Sequence, residues 1–150
     1  MFYIIGILML ISDQVSKYYA VELLRGHEPY VLVDNFLQLN YIENFGAAFG
    51  ILQNKQLFFI ILTTFVIIGI LIYIKLNTKL SKPMIFALVM VVFGALGNLI
   101  DRIRLGYVID FIDVKFGNFY DFPVFNFADS FIVVATIIIM YLVLFEKYEV

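Results

Sequence analysis

The sequence predicts an α-helical integral membrane protein: four transmembrane helices carrying a small extracytoplasmic β-sheet. Three observations predict it. Of 150 residues, 63% are hydrophobic and only 15% charged, where a soluble domain is roughly half apolar and a quarter charged. Mean hydropathy is +0.99. Four apolar stretches, near residues 2–24, 56–75, 84–104 and 127–145, are long enough for a hydrocarbon core about 30 Å thick. They are expected to form a single membrane-embedded domain, with no repeat, low-complexity tract or linker.

The first span runs from Phe2 through Asp13-Gln14-Val15-Ser16-Lys17 to about Leu24. No positive segment precedes its apolar run and no A-x-A site follows, so it is expected to be retained, not cleaved as a leader. Asp13 and Lys17 lie four apart, acid first, and share a helix face. Lys17 is expected to reach for the interface. Arg25 to Lys55 is the longest hydrophilic excursion. Within it Tyr30–Val33 and Phe36–Ile42 are rich in β-formers, with Asp34-Asn35 as a turn between them. Leu37, Leu39 and Tyr41 alternate with Gln38 and Asn40, the pattern of a half-buried strand. Glu43 to Gly50 follows. Its small residues suit either close approach of another chain or packing inside the membrane.

Leu57 to Ile74 and Met84 to Ile100 are uncharged, and the fourth span starts near Asn126. Lys75, Lys79 and Lys82 crowd the connection between the second and third spans. By the positive-inside rule this places that connection and both termini in the cytoplasm, provided Arg102 and Arg104 are held by the site or the interface. The aspartate-rich connection then faces outward.

Composition excludes several chemistries. The net charge of −2 and the lack of a basic tract argue against nucleic-acid binding. With no cysteine and one histidine, His27, the chain has neither thiol catalysis nor a His-rich zinc motif.

Five aspartates fall between Gly94 and Asp129, at the edge of a very apolar chain, where ionisable groups are functional candidates. Asp110 lies just past the third span and Asp129 opens the fourth, so adjacent helices can bring both to one depth. Two close carboxylates share one proton near neutrality. The ionised one can activate water while the protonated one polarises a carbonyl. Such a pair needs no metal or other cofactor. Plainer roles exist for each: Asp129 as a helix cap, Asp110 in a solvated loop, Asp101-Arg102 as an interfacial ion pair, Asp113 and Asp121 in solvent. A proton-coupled membrane transporter is the alternative function, since intramembrane acids and lysines also build relays. Such relays spread through the membrane depth, often in repeated halves, whereas these acids cluster at one end.

Five blocks, in order, carry a resemblance: Asp13-Gln14-Val15-Ser16-Lys17, Asn44-x-Gly46-Ala47-Ala48-Phe49, Gly94-x-x-Gly97-Asn98-x-x-Asp101-Arg102, Val108-Ile109-Asp110-Phe111 and Phe125-Asn126-x-Ala128-Asp129. Together they resemble bacterial lipoprotein signal peptidase, signal peptidase II, over nearly the whole chain. The resemblance implies a four-span aspartyl endopeptidase of the bacterial inner or plasma membrane, its site near the extracytoplasmic face. Its substrates would be diacylglyceryl-modified prolipoproteins, cut before the lipidated cysteine, with membrane lipids around them and globomycin-type cyclic peptides as inhibitors. By motif, Asp110 and Asp129 form the catalytic dyad. Asn44, Asn98, Arg102 and Asn126 line or brace substrate and dyad, and Asp13, Lys17 and Asp101 support the fold around them. Gly46 and Ala128 complete the blocks. A mobile extracytoplasmic segment over Asn44–Lys55 is implied as well. Phe45, where a polar residue is usual, and Gly50, where serine is frequent, depart from the pattern beside Asn44.

Overall fold

Helix ends in this chain are set by cap chemistry, and the caps fix where the polar residues emerge. The structure is a computed structural model and describes residues 1–46, 53–116 and 120–150. Among the described residues, four helices are long and apolar enough to cross a membrane: α1 (Phe2–Leu24), α2 (Gln56–Leu76), α3 (Lys82–Leu105) and α4 (Phe127–Leu144). Helix α3 starts at a Ser81 cap, whose hydroxyl accepts from the Met84 N–H, with Pro83 in the first turn. It stops at Gly106, whose φ of +82° is a left-handed conformation that glycine adopts without strain. Helix α4 opens with a reciprocal cap. The Asn126 side chain accepts from the Asp129 N–H, and the Asp129 carboxylate accepts from the Asn126 N–H.

Helix α3 packs against all three other helices. In its most apolar 18-residue window 61% of residues are buried, against 6% for α2. So α3 is the hub, and α2 turns most of its surface outward, as a helix facing lipid must. One apolar cluster joins Ile67 of α2 to Val92, Ala95 and Leu99 of α3. A second joins Leu80, Met84 and Leu88 to Leu142 of α4. Near this second cluster the Ser81 N–H donates to the Tyr148 carbonyl and the Val150 N–H to the Lys79 carbonyl, fastening the chain's last residues to the α2–α3 connection.

Among the described residues, four antiparallel strands sit at the opposite end, in the order β1 (Tyr30–Val33), β2 (Leu37–Asn44), β3 (Val108–Phe116) and β4 (Tyr120–Asp121). The Asp34-Asn35 turn is present, with Asn35 at φ +57°. Two expectations need correction. Strand β2 shows no alternation: all its residues but Glu43-flanking Ile42 are half-buried, because β1 and β3 flank it while α1 packs against it. Strand β3 was not foreseen. The third span was expected to end near residue 104 with Asp110 in the connection beyond it; Gly106 does end that helix, but the connection is a strand that pairs with β2 from Leu37–Val114 to Asn44–Val108. Ile109 and Phe111 then pack on Ala20 at the end of α1. The expected segment Asn44–Lys55 contains residues 47–52, among them Ala47, Ala48, Phe49 and Gly50, which lie outside the described residues.

Close approach of α1, α3 and α4 depends on glycine. A Cβ at Gly97 would sit 2.5 Å from Asp13 Oδ2 and 3.2 Å from the Ala128 Cβ. At Gly69 of α2 it would meet nothing within 4 Å. We therefore expect Gly97→Ala to destabilise by about 1–3 kcal/mol, seen as a lowered melting temperature in detergent. Gly69→Ala, adding only helix propensity, should leave it unchanged or raise it.

Candidate active site

Asp110 lies on β3 and Asp129 in the first turn of α4, and both face one cleft of about 880 Å³. Its polar wall includes Asn44, Asn98 and Arg102; its apolar wall includes Phe125, Ile132 and Val133. Asp110 is 2% exposed, so the solvated-loop role does not hold for it.

Three asparagines present amide N–H groups to the two aspartates. Asn44 Nδ2 donates to Asp110 Oδ2 at 2.9 Å, and Asn126 Nδ2 to Asp110 Oδ1 at 2.7 Å. Asn98 Nδ2 donates to Asp129 Oδ1 at 2.7 Å, while the Asn126 backbone N–H donates to Asp129 Oδ2 at 3.2 Å. Each carboxylate oxygen thus accepts one donor, which fixes both side chains without neutralising them. Burial first, then the charge of Asp129, pushes the Asp110 carboxyl up to about 7. Donation from Asn44 and Asn126 and the charge of Lys17 pull the other way.

Beneath the aspartates lies a buried ionic cluster. Lys17, 2% exposed, contacts Asp13 Oδ2 at 2.9 Å and Asp101 Oδ2 at 2.8 Å. It does not reach for the interface as expected, because Asp101, 84 positions away in the chain, meets it inside. Nor does Asp101 pair with Arg102. The Arg102 guanidinium lies 5.0 Å over the Phe59 ring and donates to the Gly46 carbonyl at 3.1 Å, tying the end of β2 to α3. Asp13 Oδ1 accepts from the Ala128 N–H at 2.9 Å, and Asp101 Oδ2 from the Ile109 N–H at 3.3 Å. All the candidate residues named from the sequence therefore converge on one region.

Some participants were missed. Gln14 Nε2 reaches both Asp13 Oδ2 and Asp101 Oδ1 at 3.2 Å, a bracing role hinted at by its place inside the first motif block. Asp113, assigned to solvent, is 5% exposed and accepts from Gln38 directly across the β2–β3 pair. Asp121 is exposed and lines the cleft with Glu43. Phe45 packs on Tyr107 at 5.3 Å and also lines the cleft, so its departure from the usual residue falls on the cleft wall.

The signal peptidase (SPase) II family profile matches residues 5–145. The chain belongs to that family. A lipoprotein signal peptidase of Caldanaerobacter subterraneus subsp. tengcongensis is 52% identical over 136 residues, 89% of each chain. Another, from Clostridium tetani, is 39% identical over 95% of this chain and 92% of its own. Two solved structures described as bacterial membrane enzymes, determined by the in meso method, superpose with TM-scores of 0.89 and 0.84 at 36% and 37% identity. They cover 96% and 94% of this chain, and 87% and 90% of their own. This signal peptidase II is thus a membrane-embedded peptidase, and the comparisons give the transporter alternative no support.

The raised pKa of Asp110 carries a stability consequence. Its proton is held more tightly folded than unfolded, so its contribution is full below about pH 4 and is lost as pH climbs toward 7. Wild type is therefore expected to melt at a higher temperature at pH 5 than at pH 8. Asp110→Asn should narrow that difference, stabilising at pH 8 by on the order of 2 kcal/mol. A wild type more stable at pH 8 than at pH 5 would contradict this origin.

Proposed function

We propose that this signal peptidase II is an aspartic endopeptidase that removes signal peptides from diacylglyceryl-modified prolipoproteins, cutting before the lipidated cysteine. One observation carries the reading: two carboxylates from separate elements, Asp110 and Asp129, open on a common cleft with every oxygen held by a donor. The relatives' names supply the substrate class.

In this mechanism the pair shares one proton. The ionised carboxylate takes a proton from water as the water oxygen bonds to the scissile carbonyl carbon, and the protonated carboxyl gives its proton to the carbonyl oxygen. In the resulting gem-diol, one hydroxyl proton returns to a carboxylate while the leaving nitrogen takes a proton from the other carboxyl as the C–N bond breaks. The dyad ends in its starting state. Asn44, Asn98 and Asn126 keep the carboxylates oriented, and Arg102, aimed at Gly46, braces the strand end where a peptide would pass. On the cleft's apolar wall, half-buried Ile132 and exposed Val133 would give acyl chains a way to lie along α4 while the peptide occupies the cleft.

The exposed apolar strand β1, Tyr30 to Val33, supports a sheet resting at the membrane surface. With Lys75, Lys79 and Lys82 at the opposite end, the proposed orientation puts the sheet outside and both termini in the cytoplasm of a bacterial plasma membrane. Cyclic peptides of the globomycin type would compete for the same cleft.

The test is cleavage of a diacylglyceryl-modified prolipoprotein by purified enzyme in detergent. Asp110→Asn and Asp129→Asn should each lose at least about 10³-fold in kcat while remaining folded, and wild type should show a bell-shaped pH profile belonging to the pair. Near-normal turnover in either folded variant sinks the dyad.

A further inference from the structure

The three asparagines around the aspartates are not held in the same way. Asn44 Oδ1 accepts from the Gly46 backbone N–H at 2.9 Å, and Asn126 Oδ1 from the Asp129 backbone N–H at 2.9 Å. A backbone N–H only donates, so each of those carbonyls is committed and each NH₂ must point at an aspartate. Among the described residues, no backbone N–H donates to Asn98 Oδ1. That atom instead lies 2.9 Å from Lys17 Nζ and 3.1 Å from Asn126 Nδ2. An ammonium is likewise a donor without an acceptor, so the Asn98 atom facing it must be oxygen. The Asn126 contact is a weaker hold, since that NH₂ also serves the Ile109 carbonyl and Asp110 Oδ1.

We infer that Lys17 is a positioning residue for the reaction. By committing the Asn98 carbonyl, it aims the Asn98 N–H at Asp129. This rests on the proposed dyad and adds to it a direction of control: a buried cation on α1 sets which face of an α3 amide the α4 aspartate meets. Without Lys17 the amide is free to turn over, and its oxygen then faces a carboxylate that has lost a donor. The two salt bridges of Lys17 are a separate matter, since they brace the helices whether or not Asn98 responds.

The experiment separates these roles with a double-mutant cycle. Lys17→Met combined with Asp101→Asn removes one positive and one negative charge together, and the new amide oxygen can still accept from Ile109. Cleavage of a diacylglyceryl-modified prolipoprotein is followed for this variant, for Asn98→Leu and for the two combined, with melting curves for each. The expected result is a fall in kcat of roughly tenfold to a hundredfold in the charge-matched variant with little change in KM. Asn98→Leu should show a similar fall, and the combination should be no worse than Asn98→Leu alone. Losses that multiply in the combination overturn the inference, because Lys17 then acts through the fold and not through Asn98. Asn98→Leu leaves both salt bridges intact, so wild-type kcat in that variant also overturns it, however the charge-matched variant folds. Neither outcome touches the dyad itself, which fails only on an active Asp110→Asn or Asp129→Asn.

Discussion

A lysine side chain almost out of reach of solvent, inside an apolar bundle, is tolerable only when acids meet it there. Removing one member of such a buried set leaves an uncompensated charge and typically destabilises by about 3–5 kcal/mol. In this signal peptidase II the set is Lys17 with Asp13 and Asp101, and its geometry reaches beyond charge balance. Asp13 holds the N–H of Ala128, the residue before Asp129. Asp101 holds the N–H of Ile109, the residue before Asp110. One ionic cluster therefore fixes the backbone immediately ahead of each acid of the proposed dyad. Gly97 belongs to the same constraint, since only a residue without a side chain leaves room for the Asp13 carboxylate between α3 and Ala128.

In Asp129 the structural role and the proposed chemical role need not compete. Its Oδ2 completes the cap of α4, and the helix N-terminus favours a negative charge at that place. Its Oδ1 meets Asn98 at the cleft. The cap orients the carboxylate, and that fixed orientation is what the proposed attack of water requires. Asn126 works in the same double way: its carbonyl belongs to the cap, and its amide hydrogens belong to Asp110.

Hydropathy made the four helices legible, because a span of some twenty apolar residues has few other readings. The aspartates were legible for the converse reason, as acids kept in a chain that can barely accommodate them. Strand β3 was not. Val108 to Val114 is nearly all apolar apart from its two aspartates, and such a run does not distinguish a covered strand from the tail of a helix. Only Gly106 marked the break. The burial of Lys17 and Asp113 was equally out of reach. Local spacing pairs Lys17 with Asp13, but its second partner comes from α3, and the Gln38 that covers Asp113 comes from a strand 75 positions earlier. Periodicity carries the elements; it does not carry contacts between elements far apart in the chain.

The position of the cleft follows from two demands that pull in opposite directions. In the proposed reaction the substrate's acyl chains need lipid, while peptide hydrolysis needs water and donors for developing charge. Neither is available deep in the bundle together with the other. Placing Asp129 in the first turn of α4 and Asp110 on the strand above α3 sets the pair where helix gives way to sheet. The wall there changes from Ile132 and Val133 to Asn44, Asn98 and Arg102 within one cleft. The buried cluster makes that junction possible. A strand and a helix end have no intrinsic reason to meet in fixed register, and Lys17 supplies it by drawing Asp13 and Asp101 to a common point beneath both.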